Sequence, residues 1–284
     1  TNTATNGGAA FLFTYLILAF ALGYPALMVE LIIGRHTRSN AVTALQSISK
    51  GRKSQYLALA IGLLGILTVS LILSFYAIVS GWMMAFFLDP LTRILGLTSF
   101  SEWLTTDTEF RNAIFVVIFM VFTVLIITAG VKDGIEKWAS RLMPLLVGLL
   151  LLLIVYVLTL EGAMDGLRAY LLPDFSRVID PSLLVNAMGQ AFFSLSLGVG
   201  TMLVYASYLG KNENLPATGA QVAMLDVGIA VLAGLLILPA MYVAQHNGVQ
   251  IFDGAGGLIA GPGLILSVLP SLFDSMGGMG FIVA

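Results

Sequence analysis

Two carboxylic acids sit where acids are costly. Once the polar links of this 284-residue chain are set aside, two of its fifteen Asp and Glu residues, Glu30 and Asp226, fall inside apolar runs. An acid at the centre of a bilayer costs at least about 2.5–3.5 kcal/mol on insertion scales, so each must face a partner, a cavity or an ion. Glu30 lies near the end of its run, four residues before Gly34-Arg35. From there it can snorkel or hold neighbouring backbone amides, which favours a structural role. Asp226 is expected about two turns inside its helix, too deep to reach water easily. Ion or proton binding is the favoured reading there, against a satisfied buried carboxyl.

The third unusual feature is Ser194-Leu-Ser-Leu-Gly-Val-Gly200, two hydroxyls and two glycines in the middle of an apolar segment. Irregular backbone at bilayer depth survives only where protein buries it or a wet cavity meets it. A helix interrupted there ends its outer half on carbonyls, which suit a cation. It starts its inner half on amides, which suit a carboxylate. The Ser194 hydroxyl, nearby carbonyls and the Asp226 carboxylate are suitable oxygen donors for Na⁺, a hard ion. Phe192 and Phe193 stand beside the break, where they could cap an organic molecule. The same spacing also suits a kinked packing helix that uses glycines for close contact.

These residues need a membrane around them, and the composition supplies one. Hydrophobic residues make up 58% of the chain and charged ones 10%, and the mean hydropathy is +0.98, far above a soluble domain. Apolar runs at about 11–33, 57–88, 112–130, 142–160, 183–209 (broken) and 219–246 are each long enough to span a bilayer. Five bases and no acid follow the first run (Arg35, Arg38, Lys50, Arg52, Lys53), and Lys132, Lys137, Arg141 and Lys211 fall on later alternate links. The positive-inside bias makes those links cytoplasmic and the chain start external.

Other chemistries are poorly served. The chain has no cysteine, and its net charge of -2 carries no nucleic-acid signature. His36 and His246 lie in or near links on opposite sides of the membrane, so they form no metal pair. The glycine-rich stretch 256–263 has no following lysine and is no phosphate loop. It falls in the external link 247–275, expected to form a re-entrant lid. No catalytic constellation is visible, so an enzyme is not expected.

The ordered motifs resemble the neurotransmitter:sodium symporters, especially the bacterial amino-acid transporters. The similar stretches are Asn6-Gly7-Gly8-Ala9-Ala10-Phe11, with Ala9 in place of a third glycine, then "YPALMVELIIGR" (24–35) and "FYAIVSGW" (75–82). Gly189-Gln190 through Phe193-Ser-Leu-Ser-Leu-Gly198, followed by Tyr205-Ala-Ser-Tyr208, is similar to the family's broken sixth helix. The resemblance covers nearly the whole chain. It implies an all-α polytopic fold with inverted repeats and broken helices. The single domain 1–284 would be an internal piece running from about helix 1b to helix 7 plus the start of helix 8. The second sodium site and part of the substrate pocket would then lie elsewhere in the protein.

The resemblance also implies roles. Ile72, Tyr76, Phe193, Ser194, Ser196 and Val199 would contact substrate, with the Tyr76 hydroxyl on its carboxylate and Phe193 as lid. Ser194 and Asp226 would ligate sodium. Glu30 would hold unwound backbone, Gly198 would be structural in the break, and Tyr208 would be an inner-gate tyrosine. Asparagine stands at the Asp226 position in many members. A fixed carboxylate there, with the non-polar Ala230 one turn later, implies coupling without chloride and leaves proton exchange open. The implied activity is sodium-coupled symport of an amino acid, or a related small amine or carboxylate, through a bacterial inner membrane. Its partners would be that substrate and the lipid bilayer, with a homodimer left open. A different transporter family of the same repeat fold is the main alternative. A seven-helix receptor suits the long, broken helix less well, and a channel suits the clustered polar groups less well.

Overall fold

The computed structural model describes residues 8–172, 180–248 and Ile251, and the elements within them are helices. Residues Asn6 and Gly7 of the first motif, and the 247–275 link apart from residues 247, 248 and 251, lie outside that description. Helix α1 runs Ala9–Thr37, with a π-helical turn at Ala19–Gly23 directly before Tyr24-Pro25. The turn has a local cause. Pro25 has no N–H, and in a regular helix its ring would strike the carbonyl four residues back; an extra residue in the turn relieves both. Arg38 ends the helix in the left-handed region at φ 48°, ψ 40°, and its amide donates to the Gly34 carbonyl at 2.9 Å.

Short α2 (Ala41–Ile48) opens on Asn40, whose side chain accepts from the Thr43 amide at 2.9 Å. Helix α3 spans Arg52–Ile94. At 1.5 Å per residue its 43 residues reach about 65 Å, roughly twice a bilayer core. The apolar run 57–88 is therefore only its middle, and helix-competent polar residues extend both ends. Then come α4 (Thr98–Thr105), α5 (Glu109–Thr128), α6 (Val131–Leu158) and α7 (Ala163–Leu171). The last three are α8 (Pro181–Ser194), α9 (Thr201–Ser207) and α10 (Leu215–His246). Among the described residues five helices, α1, α3, α5, α6 and α10, are long and apolar enough to cross a membrane.

The chain divides into two compact units. The first takes the residues through Leu71 and those from Arg168 to Gly234; the second takes Ile72–Leu167 and the residues from Leu235 onward. In the first unit Phe11, Tyr15 and Ala19 of α1 pack on Leu183, Ala187 and Ala191 of α8 and Val227 of α10. A second cluster joins Leu27 and Leu31 of α1 to Leu195, Leu197, Ala206, Leu215 and Ala223. In the second unit, Ala85, Leu104 and Phe115 form one core cluster. Arg111, 2% exposed, fixes the α4 end there by donating to the Leu104 carbonyl at 2.6 Å. A buried guanidinium is tolerable because its other donors reach the Asn112 side chain at 2.6 and 3.1 Å.

Candidate functional site

The site is built around the gap between α8 and α9, both in the first unit. Helix α8 stops at Ser194, six residues run as turn, and α9 starts at Thr201. Three of these six have left-handed backbone: Ser196 at φ 54°, Gly198 at 83° and Gly200 at 81°. Left-handed backbone costs a non-glycine residue about 1–2 kcal/mol, so two glycines make the break affordable and Ser196 marks strain within it. Local bonds close the outer half: the Ser196 amide donates to the Phe193 carbonyl at 3.0 Å and the Leu197 amide to the Phe192 carbonyl at 2.9 Å. Leu195 and Leu197 anchor the turn in the core against Leu27 and Leu31.

One freed amide has a charged partner. Gly198 N–H donates to Glu30 Oε1 at 2.7 Å, a charge-assisted bond that holds the break to α1. The other carboxylate oxygen, Oε2, is buried with no hydrogen-bond partner among the described residues. Close packing reinforces the attachment. A side chain at Gly34, one turn after Glu30, would collide with the Leu203 carbonyl of α9.

At the other edge of the break, the Ser194 hydroxyl donates to Asp226 Oδ2 at 2.7 Å. Because α10 starts at Leu215, Asp226 lies about three turns inside it, one turn deeper than a start at 219 implies. No Lys, Arg or His among the described residues pairs with this half-buried carboxylate. A serine hydroxyl can turn its proton to the acid or its lone pairs to a cation. The pair is thus a cluster of oxygens at the point where α8 ends and the turn begins.

Sequence reasoning missed Tyr15. Its hydroxyl is buried beside Ser194 and Asp226. Nothing in the spacing of α1 marks it, since a tyrosine in an apolar run reads as packing. Tyr170 was also missed. This side chain, 1% exposed on α7, donates to the Val231 carbonyl of α10 at 3.1 Å. Burial, and secondarily the neighbouring Tyr15, pushes its hydroxyl pKa up to about 12, so it remains a donor.

The remaining expected residues are distributed as follows. Phe193 is exposed, whereas Phe192 packs into the core with Leu27 and Leu195. Only Phe193 is therefore available as a cap. Ser196 and Val199 lie in the turn, and the Val199 carbonyl faces Gly65 of α3. Tyr208 is exposed at the end of α9. Ile72 and Tyr76 lie four residues apart on one face of α3, in the part of that helix belonging to the second unit. The structure thus joins Glu30 to Gly198 and Ser194 to Asp226 within one unit, and carries Ile72 and Tyr76 on the other.

An interrupted apolar helix with an acid at each edge defines a class, that of polytopic membrane transporters built on discontinuous helices. The profile of the Sodium:neurotransmitter symporter family matches residues 2–114 and 105–282, and the chain belongs to that family. An uncharacterised sodium-dependent transporter of Bacillus subtilis, YhdH, is 35% identical over 277 residues, covering 96% of this chain and 58% of its own. The sodium- and chloride-dependent taurine transporter of Bos taurus is 30% identical over 317 residues, or 95% of this chain and 50% of its own. The crystal structure of MhsT in complex with L-phenylalanine superposes with a TM-score of 0.80 at 36% identity, over 99% of this chain and 62% of that one. The fold is therefore the inverted-repeat symporter fold of an integral, multi-pass membrane protein. The chain spans about half to three-fifths of the length of these relatives.

Proposed function

We propose that this chain forms the sodium-binding and part of the substrate-binding core of a symporter that carries an amino acid, or a related small amine or carboxylate, by alternating access. The observation that supports this most is the Ser194–Asp226 contact of 2.7 Å at the helix break. It is a negative oxygen cluster without a protein cation among the described residues, placed where α8 gives way to the turn. Sodium, the co-transported ion, would replace the Ser194 proton as the partner of Asp226 and draw on nearby carbonyl oxygens. Its charge would in turn attract a substrate carboxylate towards the amide-bearing start of α9. Phe193 would close over the substrate, and Ser196 and Val199 would contact it; on the family resemblance alone, Ile72 and Tyr76 are further substrate contacts, the Tyr76 hydroxyl on its carboxylate. Glu30 and Gly198 keep the break rigid, and Tyr208 would part from its neighbours when the inner side opens.

Chloride independence belongs to the same reading. Asp226 already supplies a fixed negative charge, and Ala230 one turn later offers no group to an anion. The taurine transporter's name states a dependence on chloride, which this reading does not extend to the present chain. The alternating basic links favour an orientation with the chain start outside; the bacterial inner membrane and a homodimer belong to the reading through the family resemblance alone. Proteoliposomes holding the protein expressed from its natural reading frame, with an inward sodium gradient, test the reading. Labelled amino acids should accumulate with sodium but not with potassium, and gluconate in place of chloride should leave uptake unchanged. Uptake indifferent to sodium would refute the symport reading, and uptake lost with chloride would refute the role given to Asp226.

A further inference from the structure

A second polar feature lies away from the break. At the far end of α1, Arg35, His36 and Arg38 converge with Lys211, three residues beyond Tyr208, around a cavity of about 560 Å³ whose apolar lining residue is Ile32. That size is within the range of small-ligand sites. The lining holds four basic side chains and no acid. Arg35 is partly used, donating from Nη1 to the Glu213 carbonyl at 2.7 Å, which fixes the 211–213 link against α1. His36, Arg38 and Lys211 are exposed, and their side chains make no hydrogen bond or ion pair among the described residues. The left-handed turn at Arg38 (φ 48°) folds the chain back just past the helix end, bringing Arg38 round to the cavity instead of onward from it. Clustered bases repel one another, and an anion removes that repulsion.

We infer that this cavity binds a phosphate-bearing anion, its oxygens shared among Arg35, Arg38 and Lys211. Two sources carry that group: the headgroup of an anionic phospholipid and free phosphate. The position favours the lipid. The bases stand at the end of a span, on the side the basic links mark as cytoplasmic, where anionic headgroups meet juxtamembrane Lys and Arg. Ile32, 52% exposed one turn before His36, offers an apolar surface leading from the cavity along the span, which an acyl chain can follow. A bound phosphate would tie the end of α1 to the link after α9, so its presence would bear on how easily that link moves. The site itself does not depend on the transport reading.

The test uses the protein expressed from its natural reading frame, in nanodiscs containing phosphatidylglycerol and phosphatidylcholine in equal amounts. After transfer to detergent, native mass spectrometry counts the lipids retained, with and without millimolar inorganic phosphate. The expected result is preferential retention of phosphatidylglycerol that Arg38→Gln with Lys211→Gln reduces by about tenfold or more, each lost base being worth roughly fivefold. Arg38→Lys with Lys211→Arg should retain it. Phosphatidylglycerol that resists inorganic phosphate assigns the site to lipid. Displacement by inorganic phosphate, with a rise in the unfolding midpoint that the Gln pair abolishes, assigns it to the soluble anion. Equal retention of both lipids by the unaltered protein with no midpoint shift by phosphate overturns the inference. So does an undiminished preference in a Gln pair that elutes as a folded protein.

Discussion

Two carboxylates of the first unit, Glu30 and Asp226, stand at opposite edges of one break and are held differently. Glu30 Oε1 accepts from a backbone amide, Gly198, at 2.7 Å. Asp226 Oδ2 accepts from a side-chain hydroxyl, Ser194, at 2.7 Å. The distances are the same, and the chemistry differs. An amide must find an acceptor wherever the break sits, so an acid bound to it is committed to the fold. A hydroxyl can surrender its bond and turn lone pairs to an arriving cation, so the acid bound to it is free to exchange partners. The comparison separates a residue that makes the broken helix possible from one that the broken helix makes useful.

Glu30→Ala gives the largest expected effect and the strongest challenge to that division. It takes the charged acceptor from the Gly198 amide, whose backbone is already in the left-handed region. A hydrogen bond to a charged group is worth about 1.5–3 kcal/mol, the lower end applying at this exposed amide. The unfolding midpoint in detergent should drop by several degrees, with or without sodium. Glu30→Gln keeps a carbonyl oxygen for the amide and should recover most of the loss. If Glu30→Ala and the parent melt together, Glu30 is not the support it is taken to be.

Asp226→Ala should show the opposite pattern. Without sodium its midpoint should stay near that of the parent, because the only protein bond lost is one to a hydroxyl that can be rehydrated. The sodium-induced rise in midpoint, which reports ion affinity through mass action, should shrink as affinity falls by at least tenfold, about 1.4 kcal/mol. Asp226→Asn, which keeps an oxygen but not the charge, should fall between the two. A loss of stability equal in sodium and potassium would place Asp226 with Glu30, and the distinction between the acids would disappear.

Much of this was legible in the sequence, for reasons that differ by residue. Spans announce themselves because lipid demands long apolar runs. The Ser194–Gly200 break is visible because hydroxyls and glycines inside such a run have few other uses. The two acids stand out by their cost. Partners are another matter: Glu30 and Gly198 are 168 positions apart, and no periodicity connects them. Tyr15 and Tyr170 were missed because an aromatic side chain in or near a span reads as packing until its hydroxyl is placed. The π turn at Ala19–Gly23 follows from Pro25 in retrospect. In the sequence alone, a proline within a helix is equally consistent with a kink. The anion cavity was half visible: its bases were counted for topology, but bringing Lys211 beside Arg38 required the fold.

Ser194→Ala carries the smallest expected effect and sharpens the comparison most. The substitution leaves the helix end and its packing in place, since Leu195 and Leu197, not Ser194, anchor the turn. It removes the one side-chain donor bonded to Asp226 and one oxygen that a cation could use, in the same stroke. Without sodium these losses nearly offset, because a carboxylate that loses a neutral hydroxyl at a half-buried position can recruit water. Stability should stay within about 1 kcal/mol of the parent. With sodium, the missing oxygen weakens binding by about threefold to tenfold, less than the loss of the charge at Asp226. Ser194→Thr restores the hydroxyl and should bind sodium within about twofold of the parent, which separates the oxygen from side-chain volume. If Ser194→Ala instead matched Asp226→Ala in sodium affinity, the hydroxyl and the carboxylate would act as one indivisible unit. The free exchange of partners inferred for Asp226 would then have to be given up.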